Sequence, residues 1–329
     1  MKNFAYVRAS SVKEAVQQGS NPGALFIAGG TNLVDRMKVF LDEPAQLIDI
    51  TRLEMTQIEQ TGAGLRIGAL VSNTAVADHP DVRRNYPMLS RAILLGASQQ
   101  IRNVATVGGN LLQRTRCPYY YDNAFACNKR VPGSGCAALT GINRIHALFG
   151  ASDQCIAVHP SDMCVPLAAL DAIVEVEGPQ GKRQIPFTEF HRLPGDTPQR
   201  DSNLEPGELI TAVVLPPASF AKSSVYLKLR DRASYAFALV SVAAAVEMAG
   251  NQIKTARLAM GGMAHKPWRF VEAETFLSGK SATAETFQQA AKIALQGAKP
   301  LAHNSFKVEL AQRAIRRALA VSAKGGGVA

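Results

Sequence analysis

No stretch of this chain stays apolar for the roughly 20 residues that a bilayer-crossing helix requires. The longest, "FALVSVAAAVEMAG" from Phe237, falls short. The N-terminal "MKNFAYVRASSVKEAVQQG" has neither an apolar core nor a small-residue cleavage site, so no signal peptide is expected. A run of five basic residues is also missing. The net charge of +10 is spread along the chain and accompanies no nucleic-acid recognition motif. Such a surface suits docking of an acidic subunit or retention of an anionic cofactor. No Ser-His-Asp or paired-carboxylate constellation stands out, and no catalytic acid or base is assigned. Thiols are absent everywhere except between residues 117 and 164, which hold all five cysteines.

What is present is an ordinary globular composition, 47% hydrophobic and 19% charged over 329 residues. That length suits two or three domains. "SVKEAVQQG" reads as a short helix opened by Ser and closed by Gly, "ALFIAGG" as a strand running into a glycine turn, "TNLVDRMKVFL" as a helix and "AQLIDIT" as a strand. "LRIGALVSNTAVADH" begins a second unit, with a helix through "YPMLSRAILLGASQQIRN", and strands follow around "GPQGKRQIPF". The Pro-, Asp- and Gly-rich stretch 194–207 reads as a boundary region. Beyond it "SVYLKLRDRASYAFALVSVAAAVEM" and "NQIKTARLAMGGM" predict three antiparallel strands, and the chain from Trp268 predicts helices.

Two glycine turns resemble each other, "IAGGTNLV" (27–34) and "TVGGNLLQ" (106–113). Glycine pairs let backbone N–H groups crowd around an anion, and a following helix N-terminus adds partial positive charge. Neither turn is GxGxxG and neither carries a P-loop lysine, which excludes Rossmann and Walker assignments. Two anion-binding turns suit a dinucleotide; two ordinary tight turns remain the other reading.

The cysteines admit three chemistries. Disulfides call for an oxidising compartment and an even count, whereas here the count is odd. Zinc ligands pair at C-x2–4-C, which none of these spacings matches. An iron–sulfur cluster accepts widely spaced thiolates and needs four. Cys117, Cys127, Cys136 and Cys155 lie in loop-like sequence, with Arg114, Arg116, Lys129 and Arg130 at hand to offset thiolate charge. Cys164 sits in the apolar helical pattern "SDMCVPLAALDA", where a free cysteine behaves as a small hydrophobe. His146 and His159 flank Cys155 as ligands or as hydrogen-bonded neighbours of ligands. Tyr119, Tyr120 and Tyr121 either shield a cluster or simply pack.

Taken in order, "IAGGTNL", "ATVGGNLLQ", "AVHPSD" with "LAALDA", "LKLRDR" and "AMGGMAHKPWR" resemble the FAD-binding subunits of molybdenum-containing hydroxylases, a group that includes xanthine and carbon monoxide dehydrogenases and aldehyde oxidoreductases. The cysteine-rich insert resembles the subgroup, among bacterial periplasmic aldehyde oxidoreductases, whose flavin subunit carries an additional [4Fe–4S] cluster. The resemblance implies an α+β chain: the two-part FAD-binding fold of the vanillyl-alcohol-oxidase type over 1–57 and 58–218, with an iron–sulfur loop at 114–160. A C-terminal domain with a three-stranded antiparallel sheet and helices follows over 219–329. It implies that Phe26, Ile27, Ala28, Gly29, Gly30, Thr31, Asn32 and Leu33 wrap the FAD pyrophosphate, and that Thr106, Gly109 and Asn110 complete the pocket. Ser161 and Asp162 would bond further polar groups of FAD, and Lys228 would approach the flavin. Cys117, Cys127, Cys136 and Cys155 would hold the cluster.

The function so implied is electron transfer. Partner subunits carry the molybdenum cofactor and [2Fe–2S] clusters, aldehyde is oxidised to acid in a partner, and FAD here passes electrons to an external acceptor. Two rivals predict other things: a free-standing flavin reductase, active alone, and a zinc-stapled nucleic-acid-binding module, colourless and salt-sensitive. Location follows the resemblance to the periplasm, by co-export with a signal-bearing partner; without one the chain stays in the cytoplasm.

Overall fold

The computed structural model describes residues 1–326, and each of three sheets is built by one contiguous part of them. Strands β1 (Ala5–Arg8), β2 (Ala24–Ile27) and β3 (Gln46–Asp49) pair in parallel in the order β1-β3-β2. Parallel pairing needs crossovers, and the helices Val12–Gly19 and Leu33–Lys38 supply them. The first starts cleanly because the Ser11 hydroxyl accepts from Glu14 N–H while the Glu14 carboxylate reaches back to Ser10 N–H at 2.8 Å.

The second sheet is antiparallel, in the order β4-β5-β8-β6-β7, from β4 (Ile58–Thr61), β5 (Gly64–Gly68), β6 (Ile173–Gly178), β7 (Gly181–Pro186) and β8 (Leu209–Leu215). Strand β6 alternates, burying Val174 and Val176 while Glu175 and Glu177 face outward. The stretch 194–207 is therefore not a boundary: β8, which follows it, inserts between β5 and β6 of the sheet that precedes it. Its turn residues make the connection a long loop, and nothing in that composition shows which sheet the next strand will enter.

The single helix expected through residues 86–103 is two, Pro87–Leu95 and Gln99–Val104. Between them Gly96 is extended and Ala97 adopts a left-handed φ of 49°. Three cations hold the break open. Arg102 donates to the carbonyls of Gly96 (2.8 Å) and Ala97 (3.2 Å), and Lys228 and Arg230 donate to that of Leu95 (3.0 and 3.2 Å). Two of these cations lie more than 130 residues away in sequence, so a local pattern could not announce the break.

The third sheet runs β12-β11-β10-β9, antiparallel throughout, from β9 (Ser224–Leu229), β10 (Val240–Ala249), β11 (Gln252–Gly261) and β12 (Trp268–Arg269). It thus has four strands where three were expected, because Trp268 and Arg269 turn back onto Met260 and Ala259 instead of opening a helix. The helices Ala284–Ala294 and Phe306–Ala323 bury Phe287, Ile315 and Leu319 in one core with Val240, Val242 and Leu258 of this sheet.

Candidate functional site

A cleft of about 1320 Å³ opens among the first sheet, the broken helix pair and the start of the third sheet. The turn from Ala28 to Asn32 forms one wall. Gly29 leaves no room for a side chain, since a Cβ there would stand 2.1 Å from the Val104 carbonyl oxygen, and Gly30 takes a φ of +68°. The N–H groups of Gly29, Gly30, Thr31 and Asn32 have no acceptor among the described residues. Four consecutive unpaired amides beside an open cavity form an anion-binding concavity.

The second glycine turn faces the first. Thr106 caps the short helix Val107–Leu111, its hydroxyl accepting from Gly109 N–H at 3.3 Å. Asn110 is fixed by a network: its Oδ1 accepts from Ser161 Oγ at 2.6 Å and from Gln113 Nε2 at 2.7 Å. All fourteen residues named from sequence for the cofactor, from Phe26 to Lys228, line this one cleft. Two of them do something the sequence did not announce. Lys228 does not project alone; it pairs with Asp162 at 2.7 Å, and Tyr226 donates to the same carboxylate at 2.6 Å. Burial pushes the Asp162 carboxyl above its usual range despite the lysine. Sequence reading passed over Tyr226 altogether, because only the register of β9 and its packing bring it under Asp162.

The cysteines form a second site. Cys117, Cys127, Cys136 and Cys155, about forty residues end to end, line one small cavity with Tyr119, Tyr120 and Lys129. Cys127 and Cys136 face each other across an isolated antiparallel bridge, and none of the thiols is in a disulfide. Burial pushes Cys117 up to about 12 and Cys155 to about 11, so neither is a reactive thiolate by itself. Among the described residues, no three of these four sulfurs lie within 4.8 Å of one another. Sulfurs bound at about 2.3 Å to one tetrahedral zinc stand about 3.8 Å apart. Three of these sulfurs are therefore not gathered as a tetrahedral zinc site requires. Tyr120 is buried against the thiols, whereas Tyr121 bonds Arg116 at 2.9 Å.

The basic residues around the cysteines are more committed than expected. Lys129 and Arg114 both grip Asp201, at 2.5 and 2.6 Å, and Arg116 reaches Asp35 at 3.4 Å. Against the opposing pull of burial, Lys129 and Arg114 hold the Asp201 carboxyl below its usual range. Arg130 binds the carbonyls of Tyr119 and Tyr120. Charge compensation for four thiolates thus rests less on free cations than the sequence suggested. Asp201, which ties the 194–207 loop to this segment, had no signal in its local pattern.

His146 and His159 part company. His146 Nε2 lies 3.1 Å from Cys117 Sγ. His159 is absent from the thiol cavity and packs at a tilt against His191 with ring centres 4.3 Å apart. Cys164 stays outside the quartet, in the apolar core, as expected. Donor atoms of His159, Cys164 and His191 do come within 4.8 Å of one another. However, His159 Nδ1 accepts Ser161 N–H at 3.3 Å, which leaves the proton on Nε2, the nitrogen with no partner among the described residues. That nitrogen has no lone pair to offer a metal.

Known proteins give this geometry a context. Residues 2–218 match the family model described as the FAD binding domain in molybdopterin dehydrogenase, and residues 225–321 match the CO dehydrogenase flavoprotein C-terminal domain. The aldehyde oxidoreductase FAD-binding subunit PaoB of Escherichia coli K12 is 53% identical over 97% of this chain and 98% of that protein. Among solved structures, carbon monoxide dehydrogenase from Hydrogenophaga pseudoflava superposes with a TM-score of 0.78 at 25% identity, and quinoline 2-oxidoreductase from Pseudomonas putida 86 with 0.76 at 26%; each match covers 99% of both chains.

Proposed function

As this chain belongs to the FAD-binding subunits of the molybdenum hydroxylases, we propose that it is the flavin- and iron–sulfur-bearing electron-transfer subunit of an aldehyde-oxidising complex. The observation that carries the reading is the set of four unpaired amides at Gly29–Asn32 lining a cleft large enough for a dinucleotide. Those amides would take the pyrophosphate, since neutral N–H dipoles bind an anion without a counter-charge that must be desolvated. Gly29, backed against Val104, keeps the turn from drifting. Asn110, locked by Ser161 and Gln113, and the Asp162–Lys228–Tyr226 cluster would orient the rest of the cofactor. When bound, FAD would convert one-electron arrivals into two-electron delivery, chemistry that belongs to the cofactor.

The same reading gives Cys117, Cys127, Cys136 and Cys155 a [4Fe–4S] cluster, which would supply one-electron storage. Its support is the donor set: four thiols lining one small cavity, unpaired by disulfides and not gathered as one tetrahedral ion requires. Tyr119 and Tyr120 would exclude water from it. The molybdenum cofactor and [2Fe–2S] clusters would reside in two partner subunits, one of which would carry the signal for joint export to the periplasm.

Purification of the native complex tests the assignment. A flavin absorption band over a broad iron–sulfur shoulder is expected, with flavin recovered alongside two further subunits and with iron and sulfide in excess of what the partner's [2Fe–2S] clusters account for. Zinc with neither chromophore, or full turnover by the isolated chain, would overturn it.

A further inference from the structure

His146 is buried between two cavities. It lines the thiol pocket, and it also lines a separate space of about 220 Å³ that lies between the cysteines and the flavin cleft. Its ring is not what secures it. Nδ1 has no hydrogen-bond partner among the described residues, while Nε2 points at Cys117 Sγ from 3.1 Å. The backbone does the fastening. His146 N–H donates to Asn143 O at 3.1 Å, and its carbonyl accepts from Lys307 Nζ at 2.8 Å and Asn304 Nδ2 at 3.2 Å. Asn304 and Lys307 are fully buried. Ala147 N–H then pairs with Ile156 O at 2.9 Å, directly after Cys155.

This arrangement has an energetic cost without a local return. A buried ring nitrogen left unpaired destabilises the fold. Packing alone would be served better by an apolar side chain. The second nitrogen therefore has the functional task, and its partner is a sulfur of the quartet.

Resting on the cluster assignment above, we infer that His146 is a positioning residue that donates Nε2–H to the Cys117 sulfur and so raises the reduction potential of the cluster. A ligating thiolate has no proton to give, so the contact must run from nitrogen to sulfur. One electron taken up by the cluster adds negative charge shared by the thiolates. A hydrogen bond to sulfur stabilises that added charge, favouring the reduced form.

The test is an EPR-monitored redox titration of the intact complex, with iron, sulfide and flavin assayed in each variant. His146→Gln carries an amide N–H to the place of Nε2 and is expected to keep the wild-type midpoint. His146→Leu is expected to keep iron and flavin, while its reduced-to-oxidised ratio at a fixed poise falls about tenfold, or about 59 mV for a one-electron couple. A fully loaded His146→Leu protein with an unchanged midpoint overturns the inference. If His146→Leu loses iron, His146→Asn replaces it, because its amide sits where Nδ1 was. A lowered midpoint in Asn but not in Gln supports the inference, and equal midpoints overturn it. Wild-type complex whose iron and sulfide do not exceed what the partner's [2Fe–2S] clusters account for removes the cluster assignment itself, an outcome distinct from a loaded protein that shows no shift.

Discussion

In the wide cleft the chain offers main-chain N–H groups at a turn where one added methyl would strike the Val104 carbonyl; in the thiol pocket it offers four cysteine side chains, three of them buried. The first region recognises an anion by omission, since glycine lets the backbone approach. The second would recognise by chemistry, because a thiol becomes a metal ligand only by losing its proton. Two neighbouring sites in one chain thus draw on opposite resources. Asp201, through Lys129 and Arg114, ties the loop above one to the segment holding the other.

The comparison breaks most sharply at a ligand. On the proposed assignment, Cys136→Ser should remove the iron that exceeds the partner's [2Fe–2S] content and leave flavin intact, whereas Cys164→Ser should retain both; equal iron loss in the two variants would mean that Cys164 belongs to the ligand set. Gly29→Val is the mirror experiment. Its side chain meets the Val104 carbonyl, so FAD affinity should drop about a hundredfold, ~2.8 kcal/mol, with iron unchanged. Flavin and iron assays on one preparation read both, and joint loss would show that the regions are not separable.

Asp201→Asn probes the tie. It leaves Lys129, 1% exposed in its side chain, without a counter-charge, at a cost of about 3 kcal/mol. Thermal denaturation should show flavin release and iron release moving down together. A last test concerns Lys307, whose ammonium burial pushes from 10.5 to about 7. Between those values the unfolded chain holds a proton that the folded chain lacks. Stability from this group therefore rises with pH across about 7 to 10.5 and is lowest below 7. Melting curves of wild type and Lys307→Met across that window should converge towards the alkaline end.

Much of the cleft was legible because its signals are local. The diglycine turns, Asn110, and Ser161 with Asp162 can be read from adjacent residues, and all of them line one cavity. The thiol quartet was legible by elimination, since an apolar helical pattern separates Cys164 from the other four. What escaped were pairings over long separations: Asp162 with Lys228, Asp201 with Lys129, and Lys307 with the His146 carbonyl. The helix break at Gly96–Ala97 escaped for the same reason, as two of its three cations come from β9 and the residue after it. Strand β12 was hidden by length, because two residues carry no period.

Sequence alone determined which groups are available: amides freed of side chains at two turns, four thiols in loop sequence, and alternating strands able to hold both. Backbone preference and residue chemistry act over a few positions, so neighbours suffice to reveal them. Only the tertiary structure decided which charge meets which. An ion pair depends on where distant strands register and how deeply both partners are buried, and chain folding sets those quantities, not adjacency.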